Sequence, residues 1–245
     1  MFADILHQLY RGVFWSHPAL HKAYLRLRGY MIDFAGKDYV VQGFPRSGNT
    51  FLSVLLEDYA AKEVNLFTHL HAPAVFHYAF AENKVVFMPV RDPMDSVVSL
   101  IQMKGWSAER ALMHYIDYYE ASLPYVDKVK VLDFAHFTKD ISATLKAVEA
   151  ASGVPYKHDA THAEAEARTF ALIDELNVCA SGEINAKDVH RPHSERQADK
   201  AAVIADIQHH HPELLIAAQT LYAQFAARCI LINQSSQEPN DRIAS

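Results

Sequence analysis

Three features of this sequence predict an α/β fold with a central parallel β-sheet flanked by helices. From residue 38 onward, short β-rich runs alternate with stretches of helical periodicity, the pattern that builds parallel sheets with crossover helices. One junction, YVVQGFPRSGNTFLSVLLEDY at 39–59, reads as a buried strand, a glycine-bounded turn and a helix in direct succession. A chain of 245 residues, 50% of them apolar, can also bury one sizeable core. The expected organisation is a single domain. A helical segment over residues 1–37 packs on an α/β unit over 38–232, and a polar tail follows over 233–245.

Taken in chain order, Phe2, Ile5, Leu6, Leu9 and Val13 stand at helical spacing. A second helix-like stretch carries Leu20, Tyr24 and Leu27, with Lys22, Arg26 and Arg28 as a basic face. That face reads first as a solvated one and second as a membrane-surface or acceptor contact. Strands are expected at 39–43, 64–68, 84–90 and 128–134, each rich in Val, Leu, Phe or Ile. Phe51, Leu52, Leu55, Leu56 and Tyr59 form one helical stripe, and Leu112, Tyr115, Ile116 and Tyr119 form another. Between these lies VVFMPVRDPMDSVVSL, which passes from strand to helix with strong start signals. Asp92 suits the N-cap, Pro93 the first helical position and Asp95 the far corner of a capping box. Further helices are expected over 142–150 and 212–226.

Composition narrows the function. A net charge of −6 argues against a broad nucleic-acid surface but leaves room for a local basic pocket. Two cysteines, Cys179 and Cys229, form neither a disulfide framework nor a metal-ligand spacing, which suits a reducing compartment. The N-terminus is too interrupted by polar residues for a signal peptide, and no apolar run reaches spanning length. A cytoplasmic protein without a transmembrane segment is the expectation.

The turn at 43–50 carries the chemistry. Gly43 and Gly48 keep the spacing of a nucleotide phosphate loop and Thr50 keeps its hydroxyl, but Asn49 replaces the lysine that reaches β- and γ-phosphates. Arg46, inside the loop, is its only cation. Backbone N–H groups at a helix N-terminus, with one internal arginine, suit a single 5′-phosphate better than a triphosphate. Arg91 falls at the end of a strand and Ser99 two helical turns beyond, a pair able to hold a second phosphate.

Together these segments resemble the sulfotransferases that use 3′-phosphoadenosine 5′-phosphosulfate (PAPS). PRSGNTF is similar to that family's 5′-phosphosulfate loop, and RDPMDSVVS to the segment whose Arg and Ser hold the 3′-phosphate. THL at 68–70 resembles the segment with the catalytic histidine and places His69 22 residues before Arg91. The resemblance reaches over about residues 38–226, including SGVPY and HPELLIAAQTLYAQF, and implies a P-loop-like sulfotransferase fold for the domain at 38–232. It implies catalytic roles for His69 and Arg46. It also implies donor binding by Arg46, Ser47, Gly48, Asn49, Thr50, Phe51, Arg91 and Ser99, with Arg191 closing over the 3′-phosphate and Arg196 as its rival. Three positions depart from the family. Phe67 stands where a basic residue is common, Ala135 and His136 replace an acidic pair, and the Arg-Lys-Gly closing loop has no clean counterpart.

Sulfuryl transfer between oxygens is mostly alignment and charge neutralisation, so a histidine base and an arginine at the leaving phosphate meet its needs. The partner is then a hydroxyl, less readily an amine, of a small molecule, lipid or carbohydrate. No metal is needed, because there is no β,γ-diphosphate to neutralise. His71 and His77 lack nearby third and fourth ligands for zinc. Phe51 fits either an adenine stack or the core. Two other functions compete: a small P-loop kinase or NTPase, and a catalytically degenerate nucleotide-binding protein.

Overall fold

The computed structural model describes residues 14–15, 17–181 and 197–235. Four parallel strands form its sheet: β1 (Tyr39–Val41), β2 (Leu66–Thr68), β3 (Val86–Val90) and β4 (Lys130–Asp133), in the spatial order β2-β1-β3-β4. Val41 pairs with Thr68, Val40 with Val86, and Val90 with Asp133, so all four strands end on one edge. β1 is shorter than the expected 39–43: the Gln42 N–H still donates to Phe87 O at 3.0 Å, and the chain leaves the ladder after it. The Gly43 N–H then donates to Asn49 Oδ1 rather than to a ladder.

Helices cover both faces. In chain order they are α1 (Pro18–Leu27), α2 (Asn49–Tyr59), α3 (Ala74–Ala81), α4 (Pro93–Lys104) and α5 (Ala108–Ser122). There follow the short α6 (Phe134–Phe137), α7 (Ile141–Ser152), α8 (His162–Ser181), α9 (Gln197–His210), α10 (Pro212–Ala226) and α11 (Ile230–Ser235). Strand alternation divides the core. Val40, Val86, Met88, Val90 and Val131 face one layer with Tyr115, Tyr118, Tyr119 and Phe225. Tyr39, Val41, Phe87 and Leu132 face the other with Phe51, Leu55, Leu145 and Ile173. Burying aromatic side chains on this scale is the main source of stability available to such a fold.

Two helical stripes sit where periodicity puts them, in α2 and α5. α1 differs: its buried side chains are His21 and Leu25, while Leu20 and Leu27 turn outward. Helix α3, AVFHYAFA, is apolar almost all round and so gives no periodic signal. α8 buries Ala165, Thr169 and Ile173, a stripe of mostly small residues that hydropathy hardly registers. The expected helix over residues 2–13 and the tail at 236–245 lie outside the described residues.

Candidate active site

In an open parallel sheet, ligands bind beyond the strand C-termini where successive crossovers leave in opposite directions. Here that point lies between β1 and β3, since the chain runs from β1 to one neighbour, β2, and then returns to the other, β3. The loop at 43–48 leaves β1 at this point, Arg91 leaves β3, His69 follows β2, and Asp133 ends β4. Four non-contiguous pieces of sequence therefore meet at one sheet edge.

The loop is shaped by two glycines and one asparagine. A Cβ on Gly43 would lie 2.3 Å from the Pro89 carbonyl oxygen, so only glycine lets the loop pass against β3. Gly48 has φ +90°, and a Cβ there would meet Phe134 Cδ2 at 2.7 Å. Asn49 is buried and staples the turn: its Oδ1 accepts from Gly43 N–H at 2.7 Å and its Nδ2 donates to Phe44 O at 2.8 Å. The asparagine in the lysine position is thus a brace for the loop. Gly48 N-caps α2 without any side-chain cap bond among the described residues, which leaves the first-turn N–H groups available at the loop mouth.

Arg46, Arg91 and Ser99 come together beside this loop. Arg46 is itself left-handed, with φ +68°, and its Nε donates to Ser99 Oγ at 2.8 Å while Nη1 contacts Met103 Sδ at 3.8 Å. Arg91 Nη1 donates to the Arg46 carbonyl at 3.3 Å, tying β3 to the loop. Its guanidinium lies 4.3 Å over the Phe134 ring, and the Tyr115 hydroxyl donates to its carbonyl at 2.9 Å. Arg91 Nε is buried with no hydrogen-bond partner among the described residues. Desolvation lowers the Arg91 pKa, opposed by Asp95 and Asp92. A partly dehydrated, always-charged guanidinium is a strong anion ligand.

Asp92 caps α4 as expected, accepting from Met94 N–H at 2.8 Å and Asp95 N–H at 3.3 Å. The side chain of Asp95 reaches Lys200 Nζ at 3.0 Å and stands 3.8 Å from Arg91 Nη2.

His69 adjoins the helix start. Its Nε2 is 3.1 Å from Thr50 Oγ1, and its ring meets His71 edge-on with centroids 6.0 Å apart. The residue is open to solvent on one side, yet desolvation of the ring lowers its pKa from the usual 6.5 and favours the neutral imidazole. His69 and His71 both have positive φ, +66° and +50°, which for non-glycine residues marks backbone held by its surroundings. The hold is visible. His71 Nδ1 donates to Gly43 O at 2.9 Å, and one terminal atom of the buried Gln42 carboxamide lies 2.6 and 2.7 Å from the backbone N–H groups of His71 and Ala72, which assigns that atom as the oxygen because both groups can only donate. Because a carbonyl can only accept, His71 carries its proton on Nδ1.

The structure thus gathers Arg46, Gly48, Asn49, Thr50, His69, Arg91 and Ser99. Ser47 is also in the loop, but its side chain is buried and its N–H donates to Phe44 O at 3.2 Å. Phe51 is in the core, packed on Phe137 and Phe170, which is the second of its two expected places. Phe67 packs on Phe34, so this position is apolar filling on the sheet face. Near Ala135 and His136 the acid is Asp133 itself, buried and bonded by Ala135 N–H, His136 Nδ1 and the Tyr222 hydroxyl. Arg191 and Arg196 lie outside the described residues.

Three residues at the site escaped sequence reasoning: Gln42, His71 as a brace, and Phe134 as the platform for Arg91. Gln42 left a signal, a polar side chain ending an otherwise apolar strand. Phe134 left none, because an aromatic at a strand end reads as core. Among the described residues no three His, Cys, Asp or Glu side chains are grouped as metal ligands, and no helix is long and apolar enough to cross a membrane. Comparison with protein-family models finds no match, and comparison with curated proteins finds none either.

Proposed function

We propose that the protein is a sulfotransferase that takes the sulfuryl group of PAPS and passes it to the hydroxyl of a small-molecule, lipid or carbohydrate acceptor. The observation that carries this reading is the meeting of two arginines from separate elements at the β1/β3 crevice. Arg46 sits inside a loop suited to one phosphate, and Arg91 stands beside it with a buried Nε that has no hydrogen-bond partner among the described residues. Two cations on one small edge match a nucleotide phosphorylated at two separate positions.

In this reading Arg91 and the Ser99 hydroxyl hold the 3′-phosphate. The loop and first-turn N–H groups of α2 hold the 5′-phosphate, with Arg46 stabilising the charge that develops on it. The donor supplies an activated sulfuryl group. His69 Nε2 accepts the proton of the acceptor hydroxyl as its oxygen replaces the phosphate oxygen on sulfur. The neutral ring favoured by desolvation is the form such a base requires. Thr50 Oγ1, 3.1 Å from Nε2, occupies the nitrogen that the acceptor hydroxyl must reach, so the acceptor displaces this contact before the proton moves.

A kinase or NTPase is less well supported. Asn49 braces the loop where a lysine would reach phosphate, Asp92 caps α4, and Asp133 is engaged by three partners. A catalytically degenerate nucleotide binder would share every contact but need no His69. The test is incubation with PAPS and a panel of phenolic, aliphatic, lipid and sugar alcohols, read by mass spectrometry. Sulfated product from wild type and none from His69→Asn is the expected result. Absence of product from every class, with adenosine 3′,5′-bisphosphate still bound, would favour the degenerate reading.

A further inference from the structure

Exposed apolar side chains are unevenly placed on this molecule. Of seven large ones among the described residues, four lie within twelve positions: Leu20, Leu27, Tyr30 and Met31. Leu27 is 87% exposed and Met31 71%, values close to a side chain in open water. They are not strays from a misread stripe. α1 buries His21 and Leu25 and packs against α3, where Lys22 Nζ lies 4.2 Å from the Tyr78 ring centroid. At 100° per residue, Leu20, Ala23, Arg26 and Leu27 then fall together on the outward face. Tyr30 and Met31, also exposed, follow within four residues of the helix end.

Charge follows the same division. Residues 17–32 contain Lys22, Arg26 and Arg28 and no acidic residue. With a whole-chain charge of −6, the remainder therefore carries −9. Leu, Tyr and Met side chains interleaved with arginines, on a molecule otherwise acidic, match the chemistry of an anionic bilayer surface. The apolar tips enter the acyl boundary, the guanidinium groups meet lipid phosphates, and the acidic remainder is turned toward water. A protein partner would have to present acids and an apolar groove in one matching array, which a lipid surface supplies without design.

We propose that α1 and the turn after it, residues 20–31, form a peripheral docking surface for anionic phospholipid membranes. The proposal stands independently of the sulfotransferase reading. Its test is co-sedimentation of the full chain with phosphatidylcholine vesicles, with and without phosphatidylglycerol. Wild type is expected to bind only the anionic vesicles and to be released by raised salt. Arg26→Ser with Arg28→Ser removes two charges near the surface and should weaken binding roughly thirtyfold. Leu27→Glu with Met31→Glu should abolish it. Leu176→Glu with Ile216→Glu, exposed apolar sites elsewhere, should leave it unchanged, and thermal melting of each variant checks that all are folded. No binding to anionic vesicles, or equal binding by the patch variants, overturns the proposal. So does a concentration-dependent dimer that the Leu27/Met31 variant dissolves without any vesicle binding by wild type.

Discussion

Two neighbouring strands hand the chain to the site in different ways. After β1 the loop at 43–50 is shaped from within, where Asn49 bonds two of the loop's own backbone groups and Gly43 and Gly48 supply the close approach and the left-handed turn, with Arg91 and Ser99 bonding only its Arg46 from outside. After β2 the segment at 69–72 is held from outside, by Gln42 and by the His71 bond to Gly43 O, both reaching across from β1. An internally braced loop would present its N–H groups to a ligand in a fixed shape. A segment tied to that loop by long-range bonds keeps its histidine in register with whatever the loop holds. Under the sulfotransferase proposal one piece binds and one reacts, and each can be broken alone.

Loss of the reacting piece should have the largest effect. His69→Ala is expected to lower kcat by roughly 10²–10⁴ while calorimetric affinity for adenosine 3′,5′-bisphosphate stays near that of wild type. The pH profile sharpens this. Because desolvation lowers the His69 pKa, the neutral base persists below pH 6.5, and kcat should fall only as pH drops through that lowered value. An acidic limb centred above 6.5, or one retained in His69→Ala, would assign the titration to another group.

Breaking the binding piece should show a different signature. Gly48→Ala places a Cβ against Phe134 at a φ of +90°, a strain of about 1–3 kcal/mol. It should lower thermal stability and nucleotide affinity together, because Phe134 also supports Arg91. A fully stable variant with normal affinity would show that the loop is less rigid than its contacts imply.

The link between the two pieces should matter least. His71→Ala removes one hydrogen bond to a partly buried carbonyl, which costs about 1 kcal/mol. It should reduce kcat about fivefold through misplacement of His69, with little change in nucleotide affinity, and His71→Asn should recover part of it. If His71→Ala proves more damaging than His69→Ala, the roles of the two histidines are reversed.

The same contrast explains what was legible in the sequence. The loop and the α4 start stand in short runs, Gly43, Gly48 and Thr50 in one and Asp92 and Pro93 in another, so their spacing can be read along the chain, although the approach of Gly43 to Pro89, of Gly48 to Phe134 and of Thr50 to His69 cannot. The strands and the stripes of α2 and α5 were readable for the same reason. Gln42, His71 and Phe134 act on residues far away in sequence, where no local spacing betrays them. Asn49 was seen as an odd substitution for lysine, but its role as a brace became visible only when Gly43 and Phe44 were placed around it. At α1 the apolar spacing was read, but the side that packs on the core was not. The helix packs by His21 and Leu25, and that choice depends on α3, whose own all-apolar sequence gave no cue.

The proposed sulfotransferase activity requires this edge to recognise a nucleotide through two separate phosphates. Isothermal titration of wild type and Arg91→Ala with adenosine 3′,5′-bisphosphate, adenosine 5′-phosphate and ATP–Mg²⁺ tests it directly. Wild type should prefer the bisphosphate over both others. Arg91→Ala should lose roughly ten- to a hundredfold for the bisphosphate and little for the 5′-phosphate, the measure of one charge-assisted phosphate contact of about 1.5–3 kcal/mol. Equal losses for both adenosine ligands, or a preference for ATP–Mg²⁺, would contradict it.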